Sequence, residues 1–565
     1  MLRMQRLMLW TAAILCGCVS MVAAADPPLS GFAGDADVVI RLKNPKATIE
    51  KAATMAGTAD EKLADQIREN APFIGVLISN PSLAGVDQEQ DWLVVVHAKS
   101  DADPAVIFCI PATDAAALQD ALPEKMQKFA RDGRVYYSED KAAIETLQKG
   151  APSTSITSEM DSASKEVFDR GDISVFVNVD HLTEVYKDQL EKGTDQLAQR
   201  MKNRASILSM MPGADVGSAM DGGAEAGREI LKNTRAFTSA TTFARTGLNI
   251  ETLGQFKSGT STASAMAGHP GDALTTVSRL PEGAVLYFGV SGSLTAGVQK
   301  SLQESTALGE PMDDQQQKLD ELKKQLAEVA YKSFAGALGL GHREDGILRV
   351  ASITEAKPTD KVREFTAAAA KLSSVELEGQ GIKQEAEYKR DEEKAGDRPV
   401  DVMTITTTVD PNVNPFFGSI LTQINSFLFG PRGMEMRYAW WDDKFLYALG
   451  GGPEAMEAAV KCADGSAPNG TETYRDGLLE KPNVLVLLDV QRIAYRALKA
   501  ASESPELNLP IDAKVLGKEE PTPSFIGFSA ATENEALRSK TQVPSQQLYR
   551  IVQLAIFARM AQQRR

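Results

Sequence analysis

The sequence predicts an α+β protein of two similar halves, each a largely antiparallel sheet covered by helices, with an insertion in the second half. Three observations carry this expectation. A short apolar strand that runs through a polar turn into a helix recurs four times along the 565 residues. Short polar connections such as Lys99 to Pro104 join consecutive strands and favour antiparallel pairing. Matched pieces also recur in the same order at near-constant separations.

The first of the four units is Asp37-Val38-Val39-Ile40-Arg41-Leu42, followed by Asn44-Pro45 and a helix carrying Ile49 and Ala53. The second runs from Asp172 through Val179 into His181-Leu182. The third, entered by Leu280-Pro281, spans Ala284 to Val290, with Leu294 and Val298 on its helix. The fourth spans Asn483 to Val490 and leads into Ile493. Most of these strands are apolar on both sides, which fits sheets with helices packed over them. Trp92 to His97 and Ala105 to Ile110 form one expected hairpin, followed by a helix from Thr113-Asp114; Phe334 to Leu340 and Ile347 to Thr354 form another, followed by Thr359-Asp360. Strand-then-helix pieces recur as Arg134 to Tyr137 with Ala142 to Glu145, and as Phe445 to Tyr447 with Ala455 to Glu457. A long polar helix over Asp313 to Ala330 places Leu319, Leu322, Leu326 and Val329 on one stripe for packing over the sheet.

The separations test the repeat. Ala284 stands 247 residues after Asp37, and Asp360 stands 246 after Asp114. Glu457 then follows Glu145 by 312, and Asn483 follows Asp172 by 311. One jump of about 65 between two constant shifts is what duplication plus a single insertion leaves behind. Phe525 follows Phe237 by 288, so the first half carries extra residues near its Gly-rich stretch, Gly213 to Gly227. These counts place a leader at 1–25, a first half at 26–264 and a second at 265–565, with the boundary in the Ser/Thr/Gly-rich stretch Lys257 to Asp272. The insertion covers about 373–437. It holds expected strands Glu385 to Lys389 and Val400 to Thr408 around a charged loop, Arg390 to Arg398. A helical stripe of Phe417, Ile420, Leu421, Ile424, Phe427 and Leu428 follows, and Phe417, Leu421, Ile424 and Leu428 are the candidate partner contacts. Gln546 to Arg565 offers a second apolar face through Leu548, Ile551, Val552 and Ala555.

Arg3 and Arg6 precede an apolar run from Leu7 to Ala25, which ends in Ala23-Ala24-Ala25 before Asp26-Pro27-Pro28. This is the pattern of a secretory leader, and it gives a periplasmic or extracellular expectation. Leu15-Cys16-Gly17-Cys18 offers lipid anchoring through Cys18 as the alternative. No later stretch has 18 consecutive apolar residues, so no transmembrane span is expected after the leader. Beyond the leader only Cys109 and Cys462 remain of four cysteines, too few for a disulfide framework. The net charge is −15, and −17 without Arg3 and Arg6, a field that repels phosphate backbones and argues against nucleic-acid binding.

No local catalytic signature stands in the sequence: there is no HExxH, P-loop or GxSxG. The histidines, His97, His181, His269 and His342, are far apart, and no metal, cofactor or catalytic residue is expected. His97, in an apolar strand, reads as a satisfied core or edge residue. Gly450-Gly451-Gly452-Pro453 reads as a structural turn before a helix rather than an anion cradle.

Together with Ile78-Ser79-Asn80-Pro81-Ser82-Leu83-Ala84-Gly85-Val86-Asp87, the four units resemble a broad group of exported bacterial proteins of unknown function built from repeated strand and helix units. The resemblance implies export and architecture and brings no site residues with it. The function expected is a non-catalytic binding or scaffold protein of the periplasm or cell envelope. Its partner would be another envelope protein or an apolar ligand, in a cleft between the halves. A carrier of an apolar ligand such as lipid, and a hydrolase with a site assembled from dispersed carboxylates, remain alternatives. The leader reading predicts that protein recovered after export begins at Asp26 by intact mass; a terminus at acylated Cys18 would replace it with the lipid-anchored form.

Overall fold

The computed structural model describes residues 29–100, 102–150, 155–187, 189–190, 227–267, 271–292, 321, 324, 326, 328–341, 346–372, 374–377, 382–409, 423–430, 433–465, 470–502 and 519–551. Two units are distinguished: residues 1–202, 220–268 and 532–565, and residues 203–219 and 269–531. Every pairing between the described strands is antiparallel.

In the first unit the strands are β1 (Val38–Leu42), β2 (Trp92–His97), β3 (Ala105–Pro111), β4 (Gln127–Arg131), β5 (Arg134–Ser138), β6 (Ile173–Asn178), β7 (Thr234–Ala244) and β8 (Gly247–Phe256). β1 is central, paired with β2 on one edge and β6 on the other. β3, β5 and β4 extend the sheet beyond β2, and β7 and β8 extend it beyond β6. Its helices include α1 (Pro45–Gly57), α2 (Glu61–Asn70), α3 (Ala115–Ala121), α4 (Lys141–Gln148), α5 (Ser162–Arg170) and α6 (Val179–Val185).

Period-2 geometry explains why these strands are apolar throughout. Leu93, Val95, Ile107, Cys109 and Tyr136 point into one core, with Ile144 and Leu147 of α4 and Phe168 of α5. Their alternates Trp92, Phe108, Ile110, Val135 and Tyr137 point into another, with Leu118 of α3. Helix starts are set by side-chain caps: Asp114 accepts from Ala116 and Ala117 N–H, and Asp140 from Ala143 N–H. Arg41 in β1 is buried and its guanidinium donates to the Phe168 (2.6 Å) and Gly171 (3.4 Å) carbonyls at the C-terminal end of α5, where a cation is favoured.

The second unit contains β9 (Leu286–Ser291), β10 (Ala330–Leu340), β11 (Leu348–Lys357), β12 (Val375–Leu377), β13 (Ile382–Ala395), β14 (Arg398–Val409), β15 (Met434–Trp440), β16 (Lys444–Leu449), β17 (Val484–Leu488) and β18 (Ile526–Glu533). Here β9 is central, paired with β10 and β17. β11, β16 and β15 follow beyond β10, and β18 lies beyond β17. Its helices include α7 (Thr359–Leu372), α8 (Gly452–Ala463) and α9 (Val490–Ser502). Met456, Ala459, Val460 and Ala463 of α8 pack on Ala351, Ile353, Leu446 and Ala448 of the sheet.

Backbone bonds at the two central strands follow one pattern. Asp37 N–H donates to Val96 O (2.9 Å), and Asn178 N–H to Asp37 O (2.7 Å). In the second unit Val285 N–H donates to Leu338 O and Asp489 N–H to Val285 O, both at 2.8 Å. At the opposite strand end Lys43 N–H donates to Asp172 O, as Ser291 N–H does to Asn483 O, again at 2.8 Å each.

The structure departs from the sequence reading in three places. β19 (Ala536–Pro544) hydrogen-bonds along β8 from Ala536 opposite Gln255 to Pro544 opposite Gly247, so residues 532–565 group with the first unit instead of closing the second. Ala330 opens β10, which ends the expected helix earlier; Leu326 and Val329 are buried with Ala356 and Val362, while residues 313–320 and 322 lie outside the described residues. The charged loop after Lys389 is mostly strand. β13 continues to Ala395 across a bulge between Lys389 and Glu393, where Asp391 takes φ 52° and its N–H donates to Asp401. β14, β13 and β12 follow in turn beyond β15. The glycines Gly450, Gly451 and Gly452 all have φ between 64° and 76°, and a Cβ at Gly450 would stand 2.2 Å from Leu348 O.

One buried carboxylate ties α7, β13, β14 and β15 together. Asp401, fully buried in β14, accepts from Arg363 Nε of α7 (2.7 Å), Trp440 Nε1 of β15 (2.9 Å), the Asp391 N–H (2.9 Å) and the Tyr388 hydroxyl. Burial acts to raise its pKa, but Arg363, Tyr388 and the Asp391 N–H outweigh it and hold the carboxyl below its ordinary range. Asp401→Ala should cost about 3 kcal/mol, measured by urea unfolding, because four donors lose their acceptor. The wild-type contribution is full above the ordinary carboxylate pKa and is lost as pH falls through the lower folded value.

Candidate functional site

Two histidines separated by 84 residues meet at one end of the first unit's central strands. The topology explains why. β1 pairs with both β2 and β6, so His97, at the end of β2, and His181, in the first turn after β6, flank the residues that lead into β1. Asn178 caps α6, its Oδ1 accepting from His181 N–H at 3.3 Å, which fixes where the imidazole starts.

Asp37 is the centre of the cluster. Its carboxylate is buried, with Oδ2 accepting from the Ala98 N–H and Oδ1 standing 2.7 Å from His181 Nδ1. A carboxylate can only accept, so this pairing places the proton on His181 Nδ1 and leaves Nε2 as the second ring nitrogen. The His181 side chain is about one-third exposed, whereas that of Asp37 is 1% exposed. On the other side, His97 Nδ1 stands 3.6 Å from the well-exposed Asp35 carboxylate. Burial pushes the pKa of His97 down, and nearby His181 adds to this; Asp35 and Asp37 act in the opposite direction without reversing it. A buried carboxylate orienting a half-exposed imidazole through Nδ1 is an arrangement able to move a proton at Nε2.

The second unit carries different chemistry at the same backbone positions. Val285 stands where Asp37 does, by the strand bonds already given, and Gly339, which follows Leu338, takes the place of His97. Arg492 N–H donates to the cap Asp489 at 3.0 Å, as His181 N–H does to Asn178. Its guanidinium Nε donates to Glu520 at 2.8 Å. Burial acts to raise the Glu520 pKa, but Arg492 and Arg496 hold it below the usual range.

The other residues singled out from sequence are dispersed. Phe417 and Leu421 lie outside the described residues, as do His269 and His342. In the helix over 423–429, Ile424 is 47% exposed while Leu428 is half-buried. The Phe427 carbonyl accepts from Ile347 N–H at 3.1 Å, which seats this helix beside the start of β11. Leu548 packs with Ala52, Met55 and Phe243, and Ile551 is 37% exposed. Cys109 and Cys462 are buried free thiols, both pushed up in pKa by burial. A cavity of about 380 Å³ in the second unit lies between the β13–β14 turn and α8, and its lining includes Asp397, Arg398, Glu457, Lys461 and Asp464. Among the described residues no cluster of three or more His, Cys, Asp or Glu side chains has metal-binding geometry.

His97 stands at a strand end with Asp35 beside it, as its neighbours in sequence suggest, and the pairing of His181 with Asp37 has no local motif. The only trace in the sequence is that Asp37 and His181 flank two strands of similar apolar pattern.

Replacing Asp37 with Asn, which sets an amide against the Ala98 N–H and the His181 ring, should cost about 2 kcal/mol in urea unfolding. The same variant should move the His181 ring resonances in NMR spectra at neutral pH, because its Nδ1 loses the carboxylate. Comparison with protein families, curated proteins and solved structures finds no match to this chain.

Proposed function

We propose that the chain is an exported, non-catalytic binding or scaffold protein of the periplasm or cell envelope, made of two copies of one α+β module. The observation that carries the scaffold reading is the use made of the buried charges. Asp37, Asp401 and Asp489 each accept from backbone N–H groups of segments other than their own strand or helix core. Asp172 does the same for the Phe243 N–H at 3.0 Å, and Asp91 for the Asn44 N–H at 3.1 Å. Such groups hold elements in place. The duplication reading is supported by the matched strand-end bonds and by the order in which strands pair around β1 and β9. Export is supported by the basic and apolar start of the sequence.

The second copy differs by its three added strands and by the helix that displays Ile424, so we place partner contact on that insertion. Native mass spectrometry of protein purified from its own envelope tests the reading. The scaffold reading expects a discrete protein complex that Ile424→Asp dissociates while the variant keeps its unfolding midpoint. A lipid adduct that survives purification would favour a carrier, and turnover of ester or peptide substrates lost in His181→Gln would favour a hydrolase; either result overturns the proposal.

A further inference from the structure

We propose that residues 552–565 carry the helix over 545–551 onward along α2 and dock on Phe73 and Val76, so that the C-terminus straps the apolar tip that follows α2. The inference is independent of the scaffold reading, which places partner contact on the helix that displays Ile424.

The tip is built to present these two side chains. After α2 the chain makes a tight turn, Ala71–Phe73, and a single helical turn, Ile74–Leu77. Phe73 and Val76, three residues apart, share one face of it. They are 67% and 54% exposed, the highest values of any large apolar side chain among the described residues. Their backbone is held from beneath. A Cβ at the buried Gly75 would stand 2.4 Å from Asn80 O, the Asn80 N–H donates to Gly75 O at 2.9 Å, and the Tyr137 hydroxyl donates to Ile78 O at 2.7 Å. Asn80 is itself buried, its side-chain amide donating to Ala84 O at 3.0 Å. These contacts prevent the tip from turning its apolar pair inward.

The described start of the C-terminal helix aims at this tip. Ser545 Oγ lies 2.7 Å from Thr58 Oγ1, in the link between α1 and α2, and the Ser545 N–H donates to Thr246 O at 3.0 Å. One turn on, Leu548 packs on Ala52, Met55 and Phe243, the cluster on which Ile67 of α2 also packs. Ala52 lies back along α1 from the link and Ile67 lies forward along α2, so the helix leaves the link in the direction in which α2 runs. Phe73 and Val76 follow Ile67 by six and nine residues, about 9 and 14 Å at the helical rise. Fourteen residues follow Ile551, enough for about 21 Å at the same rise. In helical register the face of Leu548 continues through Val552 and Ala555. Val552 offers an apolar contact, and the small Ala555 leaves room for the Phe73 ring.

Other occupants fit less well. The tip offers two side chains, far less than the roughly 800 Å² that each partner brings to a stable protein interface, so a second copy would not be held there. A lipid surface would take Phe73 but leave the apolar face of Ile551, Val552 and Ala555 uncovered.

Disulfide trapping in the full-length chain tests the strap. Phe73→Cys combined with Ala555→Cys should form an intramolecular link under mild oxidation, identified by peptide mass spectrometry. Phe73→Cys combined with Gln553→Cys, on the opposite face of the same register, should link at least about tenfold less. Hydrogen exchange gives a second readout: Phe73→Asp and Val76→Asp, each at an exposed position, should speed exchange over 545–551 by about tenfold and leave β2 unchanged. Equal linking through Gln553→Cys, links formed only between two chains, or unchanged exchange over 545–551 would each overturn the proposal. So would loss of binding to phosphatidylcholine vesicles in Phe73→Asp without a change in that exchange, which would make a lipid surface the occupant.

Discussion

The constraint on which the structure depends is that β1 and β9 are each hydrogen-bonded along both edges by strands that come much later in the chain. β1 takes β2 from residue 92 onward and β6 from residue 173 onward; β9 takes β10 from 330 and β17 from 484. A strand enclosed on both edges and buried on one face has few places for a polar side chain on that face. The ends of β1 hold Asp37 and Arg41, both buried and both bonded to segments outside the strand. Each contributes by fixing where a later segment crosses the sheet end, since leaving either without its partners would strand a charge in the interior.

The same logic extends outward with different residues. Asp172 and Asp489 stand at strand or helix starts and accept backbone N–H groups from segments far along the chain. Asp401 does so beside β13, where a bulged, highly charged strand would otherwise be a poor addition to a sheet. Charges along β13 keep its outer edge unattractive to other strands, apart from the short β12 that pairs with its first residues. β12, β13 and β14 thus enlarge the second unit's sheet at the end away from β9.

Much of the fold was legible beforehand. Strands at Asp37, Asp172, Ala284 and Asn483, the hairpins after Trp92 and Phe334, and the helix cap at Asp114 follow from apolar runs bounded by turn residues, signals that local chemistry enforces. The candidate site was much less legible. His97 and His181 carry no shared motif, and their approach depends on β2 and β6 flanking the same strand. Likewise the reach of β13 through Arg390 to Ala395 turned on one residue, Asp391, adopting a positive φ so that its N–H meets Asp401.

By itself the amino-acid sequence determined the kind of elements, their order and the spacing of the repeated strand units, because apolar periodicity and capping residues act over a few positions at a time. Only the tertiary structure decided which strands share an edge, that the last strand lies along β8, and that an aspartate at the start of β1 would hold a histidine from beyond β6. Those outcomes come from hydrogen-bond registers closed between distant segments, and a register is a property of the pair, written in neither strand alone.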